Sequence, residues 1–77
     1  MLVASPNPFS NYLSIDFQGV VEDGATFVLL SADGRMLQNK ALQHGANRLE
    51  TVALPVGAYF LVVKNGGKVR VDKLMKK

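Results

Sequence analysis

Few side chains in this sequence are suited to chemistry, and none stands at a spacing that chemistry needs. The one histidine, His44, lies between Gln43 and Gly45 in a stretch of turn-forming residues, which reads as an exposed loop position rather than a catalytic base. Six carboxylates (Asp16, Glu22, Asp23, Asp33, Glu50 and Asp72) are scattered along the chain. With one histidine and no cysteine they make no zinc set, and their scatter gives calcium no support either. No glycine-rich loop leads into a helix, which excludes the phosphate cradles of nucleotide-binding folds. No catalytic residue, cofactor, metal or small-molecule substrate is expected.

The feature that remains is charge. The chain carries a net +3, unevenly spread: residues 64–77 hold six bases (Lys64, Lys68, Arg70, Lys73, Lys76, Lys77) against Asp72, and the first 63 residues hold three bases against five acids. A basic end can meet nucleic acid, anionic lipid or an acidic protein, or can simply keep an edge strand from aggregating. Nucleic acid is not expected, because no aromatic residue for base stacking occurs from Lys64 onward. An amphipathic membrane helix is not expected either, since KVRVDKLMKK alternates like a strand over most of its length. The longest clearly apolar run, AYFLVV, is far shorter than the roughly 20 residues of a membrane-spanning helix.

At 77 residues the chain is one small domain. Without cysteine, a hydrophobic core must hold it together. The start, MLVASPNPF, has no basic segment followed by a long apolar one and is not read as a signal peptide. Residues 12–17 alternate, with Leu13, Ile15 and Phe17 on one face. TFVLLS (26–31) is nearly continuous in its hydrophobicity and suits a central strand. Asp33-Gly34 signals a hairpin into RMLQNKAL. QHGAN breaks the pattern, a strand follows at about 48–52, and Leu54-Pro55-Val56-Gly57 has the chemistry of a type I turn. AYFLVVK is the most apolar strand, with Tyr59, Leu61 and Val63 on one face and Phe60 and Val62 on the other. After the hairpin at Asn65-Gly66-Gly67, the last run sets Val69 and Val71 against Lys68, Arg70 and Asp72. Pro6 and Pro8 donate nothing to a ladder. Residues 1–8 are accordingly read as a linker end and strap, and residues 9–77 as a single sandwich domain.

Taken in order, these punctuation residues form a pattern. SPNPF, an alternating strand, a hydrophobic strand ending in ADGR, then HGAN, LPVGAYFLVV and a final KLMKK closely resemble the C-terminal sorting domain of cargo proteins of the type IX secretion system of Bacteroidetes. The resemblance rests on Pro6, Asn7, Pro8, Asp33, Gly34, Gly45, Leu54, Pro55, Gly57, Tyr59 and Lys73, and it covers nearly the whole chain. Ser5 departs mildly, standing where an aromatic residue is frequent. The fold expected is all-β, a small Ig-like antiparallel β-sandwich of about six or seven short strands.

The resemblance implies a non-catalytic, removable signal. Cargo bearing it is exported to the periplasm and recognised by type IX components, including an outer-membrane shuttle protein. It crosses to the cell surface or the extracellular space, where a sortase-like cysteine protease usually removes the domain. Lys73, Leu74, Met75, Lys76 and Lys77 are the residues expected to meet the translocon, and the motif residues further upstream are expected to be structural. The alternative is a small carbohydrate-binding or adhesive sandwich, which needs several exposed aromatics. Phe17, Phe27 and Phe60 are read as interior, while Tyr12 and Tyr59 suit core or rim positions. A passive spacer is a further alternative, and KLMKK reads instead as the end of a signal.

Overall fold

Among the described residues seven strands form, most of them where β-branched, aromatic and leucine residues recur. They are β1 (Leu2–Ser5), β2 (Tyr12–Phe17), β3 (Thr26–Ser31), β4 (Met36–Ala41), β5 (Gly45–Glu50), β6 (Gly57–Asn65) and β7 (Lys68–Lys76). The structure, a computed structural model, describes residues 2–6 and 8–77. No helix occurs among the described residues. A three-stranded sheet in the order β1-β2-β5 faces a four-stranded sheet in the order β4-β3-β6-β7, and every strand pairing is antiparallel. The chain passes between sheets after β2, β4 and β5. This is a small Ig-like sandwich.

Leu13, Ile15 and Leu49 from one sheet and Phe27, Leu29, Tyr59, Leu61, Val63 and Leu74 from the other build the core. Phe9 and Leu42 add to it from the connecting segments. β3 is central, as its continuous hydrophobicity predicts: Phe27 and Leu29 face the core, and Val28, on the opposite face, is buried as well.

The hairpins follow their turn residues. Between β3 and β4, the Gly34 amide donates to the Ser31 carbonyl at 2.9 Å, and Gly34 takes a φ of +89°. A type I turn closed by a glycine in the left-handed region matches the twist of the strands it joins. The Ser31 hydroxyl donates to the Asp33 carboxylate. That hydroxyl, and after it the Arg35 backbone amide, hold the Asp33 pKa below its ordinary value. A depressed carboxylate stabilises the fold above its unfolded pKa and ceases to do so as pH falls through the folded one. Asp33→Asn is therefore expected to lower the melting temperature slightly at pH 7. The gap to the wild type should close below about pH 4, as thermal unfolding followed across a pH series will show.

Two elements differ from the sequence expectation. Much of the strap expected over residues 1–8 is paired chain: Leu2–Ser5 lie antiparallel to β2, from Leu2 opposite Phe17 to Ser5 opposite Ser14, and Leu2 is buried. Pairing ends at Pro6, which has no amide hydrogen to donate. Asn7, between the two prolines, lies outside the described residues. Secondly, β5 begins at Gly45 rather than near residue 48, because the Asn47 side chain fixes the preceding turn. The valines of β7, whose burial the alternation left open, face outward. The two-residue turn Gly66-Gly67 pairs Asn65 with Lys68, and this register sets Leu74 beside Tyr59 on the core side and Val71 beside Val62 on the outer side. Phe60, read as interior, is half-buried on that same outer face.

Candidate functional site

The end of β7, Lys73-Leu74-Met75-Lys76-Lys77, is divided by strand alternation into two sets. Leu74 is 3% exposed within the core, and Lys76 is 8% exposed. The Lys76 ammonium donates to the Leu54 carbonyl at 2.6 Å and to the Val52 carbonyl at 3.3 Å. Its aliphatic stem is covered while its charge is met by the oxygens of a turn. Lys73, Met75 and Lys77 are exposed, and neither Lys73 nor Lys77 has a carboxylate within ion-pair distance among the described residues. Of the five residues expected to meet a partner, three are thus presented outward and two are built into the fold.

The turn that receives Lys76 is itself held from several sides. Thr51 is fully buried; its amide donates to the Asn11 carbonyl at 3.0 Å, and its hydroxyl donates to the Ser10 carbonyl at 2.8 Å. The Leu54 amide donates back to the Thr51 carbonyl at 3.0 Å. The Tyr59 hydroxyl donates to the Pro55 carbonyl four residues earlier. A tyrosine at the start of this strand, bonding to the backbone of the corner before it, is a recurrent device of Ig-like sandwiches. The ring of Tyr59 packs against Phe9 with centroids 5.9 Å apart at 59°. Phe9 is completely buried. Its amide donates to the Met75 carbonyl at 2.9 Å, and its carbonyl accepts from the Lys77 amide at 2.8 Å.

Three segments far apart in sequence therefore converge at one end of the sandwich: the Pro8-Phe9 segment, Leu54-Pro55 through Gly57 and Tyr59, and the end of β7. The Asp33-Gly34 hairpin belongs to the same end, since Ser31 pairs with Tyr59. Gly45 lies at the other end, opposite Phe17.

Two buried polar residues escape a reading based on hydrophobicity, Thr51 and Asn47. The Asn47 amide nitrogen donates to the carbonyls of Gln43 at 2.8 Å and of Ile15 and Gly45 at 3.1 Å each, and its side-chain oxygen accepts from the Gln43 amide at 2.8 Å. The detectable signal was phase: Asn47 stands two residues before Leu49 and four before Thr51, on the inward face of β5.

Other candidate chemistry is not assembled. His44 is exposed, and no group of three or more metal-ligating side chains occurs among the described residues. Among the described residues no helix is long and apolar enough to cross a membrane. Tyr59 is committed to the core, and the half-exposed ring of Tyr12 has the Arg48 guanidinium 4.5 Å from its centroid, so the two tyrosines offer no shared stacking platform. Compared with known families, residues 4–77 match the one described as the secretion system C-terminal sorting domain. No curated protein matches the chain.

Proposed function

Since the chain belongs to the secretion system C-terminal sorting domain family, it carries a type IX sorting signal, and we propose that the folded sandwich is itself that signal. The observation carrying this reading is the build of the β7 end. Leu74 and Lys76 anchor the strand while Lys73, Met75 and Lys77 stand outward, so the outward residues can be displayed in fixed geometry only by a folded domain. The domain performs no chemistry. It presents its cargo to type IX components in the periplasm, an outer-membrane shuttle protein receives it, and cargo proceeds to the cell surface or the extracellular space. A basic, outward-facing strand end suits an acidic surface on that receiver, where complementary charge speeds encounter.

A sortase-like cysteine protease then separates cargo from domain. Proteases require extended, unpaired backbone, and β1 is paired along its length with Leu2 buried. Cleavage therefore falls before Leu2, in whatever chain precedes it. The test joins residues 1–77, through an extended polar linker, to an exported fluorescent protein in a bacterium that has this secretion system. Mass spectrometry of the secreted reporter is expected to find a C-terminus within the linker. A C-terminus at or beyond Leu2, or a secreted reporter that keeps the whole domain, contradicts the cleavage reading.

A further inference from the structure

The outer face of the four-stranded sheet is unusually apolar for a surface that meets water, where polar residues are the rule. Val71 sits beside Val62, which sits beside Val28; Phe60 sits beside Leu30, which sits beside Met36. Val69 is 62% exposed, Val71 58% and Met75 46%. A connected strip of this kind marks an interaction surface more often than a scattered apolar residue does.

The strip ends at a free strand edge. Phe9 bonds to the Met75 carbonyl and the Lys77 amide, so the odd-numbered residues of β7 direct their backbone groups away from β6. Phe9 occupies this edge at residues 75–77 only. Further along, the amides and carbonyls of Val69, Val71 and Lys73 have no backbone partner among the described residues. Charge on either face can keep an edge from pairing, but the inner-face charges of this stretch, Arg70 and Asp72, are engaged with each other, so the outer-face positions decide. There Lys73 alone bears charge, and two β-branched apolar residues occupy the other positions. On the inner side of the same edge, Leu2, Phe17, Val20, Val63 and Arg70 help line an open cleft of about 550 Å³.

We propose that the stretch Val69–Lys73 of β7 accepts an added strand from a protein of the secretion machinery, an extended segment of alternating apolar and acidic residues. This deepens the sorting reading and rests on it. Backbone bonds at Val69, Val71 and Lys73 supply affinity, and side-chain pockets on the two faces supply specificity. Outer-facing apolar side chains of the added strand continue the strip beside Val69 and Val71. Its acidic groups meet Lys73 and the neighbouring Lys64, which lies opposite Val69. Arg70 already pairs with Asp72 at 3.2 Å, which leaves Lys64, Lys68, Lys73 and Lys77 as the positive groups around the edge. Complementarity selects an acidic segment from this arrangement.

The test compares reporter fusions of the wild-type chain, of Val69→Glu with Val71→Glu, of Val71→Pro, and of Val3→Glu. Val3 is a half-exposed valine on the other sheet. Thermal unfolding of each purified chain establishes which variants are folded, and sedimentation gives their oligomeric state. The expected result is a folded double-glutamate variant whose delivery falls at least tenfold, with wild-type and Val3→Glu fusions delivered alike. Val71→Pro removes an outward amide and should fail likewise where it folds. Delivery of the folded double-glutamate variant at the wild-type level overturns the proposal and leaves the sorting reading intact, whereas a wild-type fusion that is not delivered overturns both. A wild-type chain that sediments as a dimer, dispersed by the two glutamates, assigns the edge to a second copy instead and also overturns it.

Discussion

A chain lacking residues 73–77 is expected to show no cooperative thermal unfolding. The deletion removes Leu74 from the core, and burial of a leucine of this kind is worth about 2–5 kcal/mol. It takes away the Lys76 bonds to the Leu54 and Val52 carbonyls and the pairing of β7 from Lys73 to Lys76 with Phe60 to Gly57. It also removes both backbone partners of Phe9, a fully buried aromatic that packs on Tyr59. Each lost hydrogen bond contributes about 0.5–1.5 kcal/mol. A domain of this size has a total stability of only about 4–12 kcal/mol, so the losses reach the whole of it. Circular dichroism on heating measures this directly, and a sharp transition within a few degrees of the wild-type midpoint would refute the expectation. The deletion that looks most informative from the sequence alone thus removes the proposed recognition residues and the fold together. Substitutions at Lys73, Met75 and Lys77, whose side chains stand in solvent, separate the two.

The second large effect is expected at Asn47. Asn47→Ala leaves the carbonyls of Ile15, Gln43 and Gly45 and the amide of Gln43 without their common partner in a part-buried turn. Several orphaned groups at this depth cost about 3 kcal/mol together, which in a domain of this length lowers the midpoint by roughly 12–24 °C. Asn47→Asp should be worse at pH 7, because a carboxylate oxygen then faces carbonyl oxygens where an amide donated. Protonation restores one donor, so the aspartate variant is expected to gain stability relative to the wild type as pH falls, the direction characteristic of a carboxylate whose pKa is raised in the fold. Urea unfolding of both variants at pH 7 and pH 4 checks the order. Equal midpoints for the wild type and Asn47→Asp at pH 7 would contradict it.

These cases show which parts of the fold were legible in the sequence. Alternation located β2 and β6, and continuous hydrophobicity β3, each to within about a residue, and Asp33-Gly34 and Gly66-Gly67 marked their hairpins because glycine at positive φ leaves few other readings. β1 was hidden by Pro6, which ends a strand but does not prevent one before it. β5 was shortened because Gly45 and Asn47 are poor strand formers by propensity, and a single side chain with three local bonds and one to the Ile15 carbonyl across the sheet outweighs that propensity. The face of β7 was not legible. Alternation separates a valine side from a charged side without saying which is buried, and the two-residue turn at Gly66-Gly67 sets the valines outward. The residues proposed for recognition were legible as a stretch in which three lysines surround Leu74 and Met75. That Leu74 and Lys76 point inward depends on contacts with Tyr59 and the 51–54 turn, which only the tertiary arrangement supplies.

The sorting role is tested most directly by the fraction of an exported fluorescent reporter that leaves the periplasm, in cells with the type IX system, when residues 1–77 are joined to its C-terminus and when they are not. The reporter bearing the domain is predicted to appear on the surface or in the medium, while the bare reporter stays behind. Equal retention of the two, or equal release, would contradict the claim that this sandwich is a sorting signal.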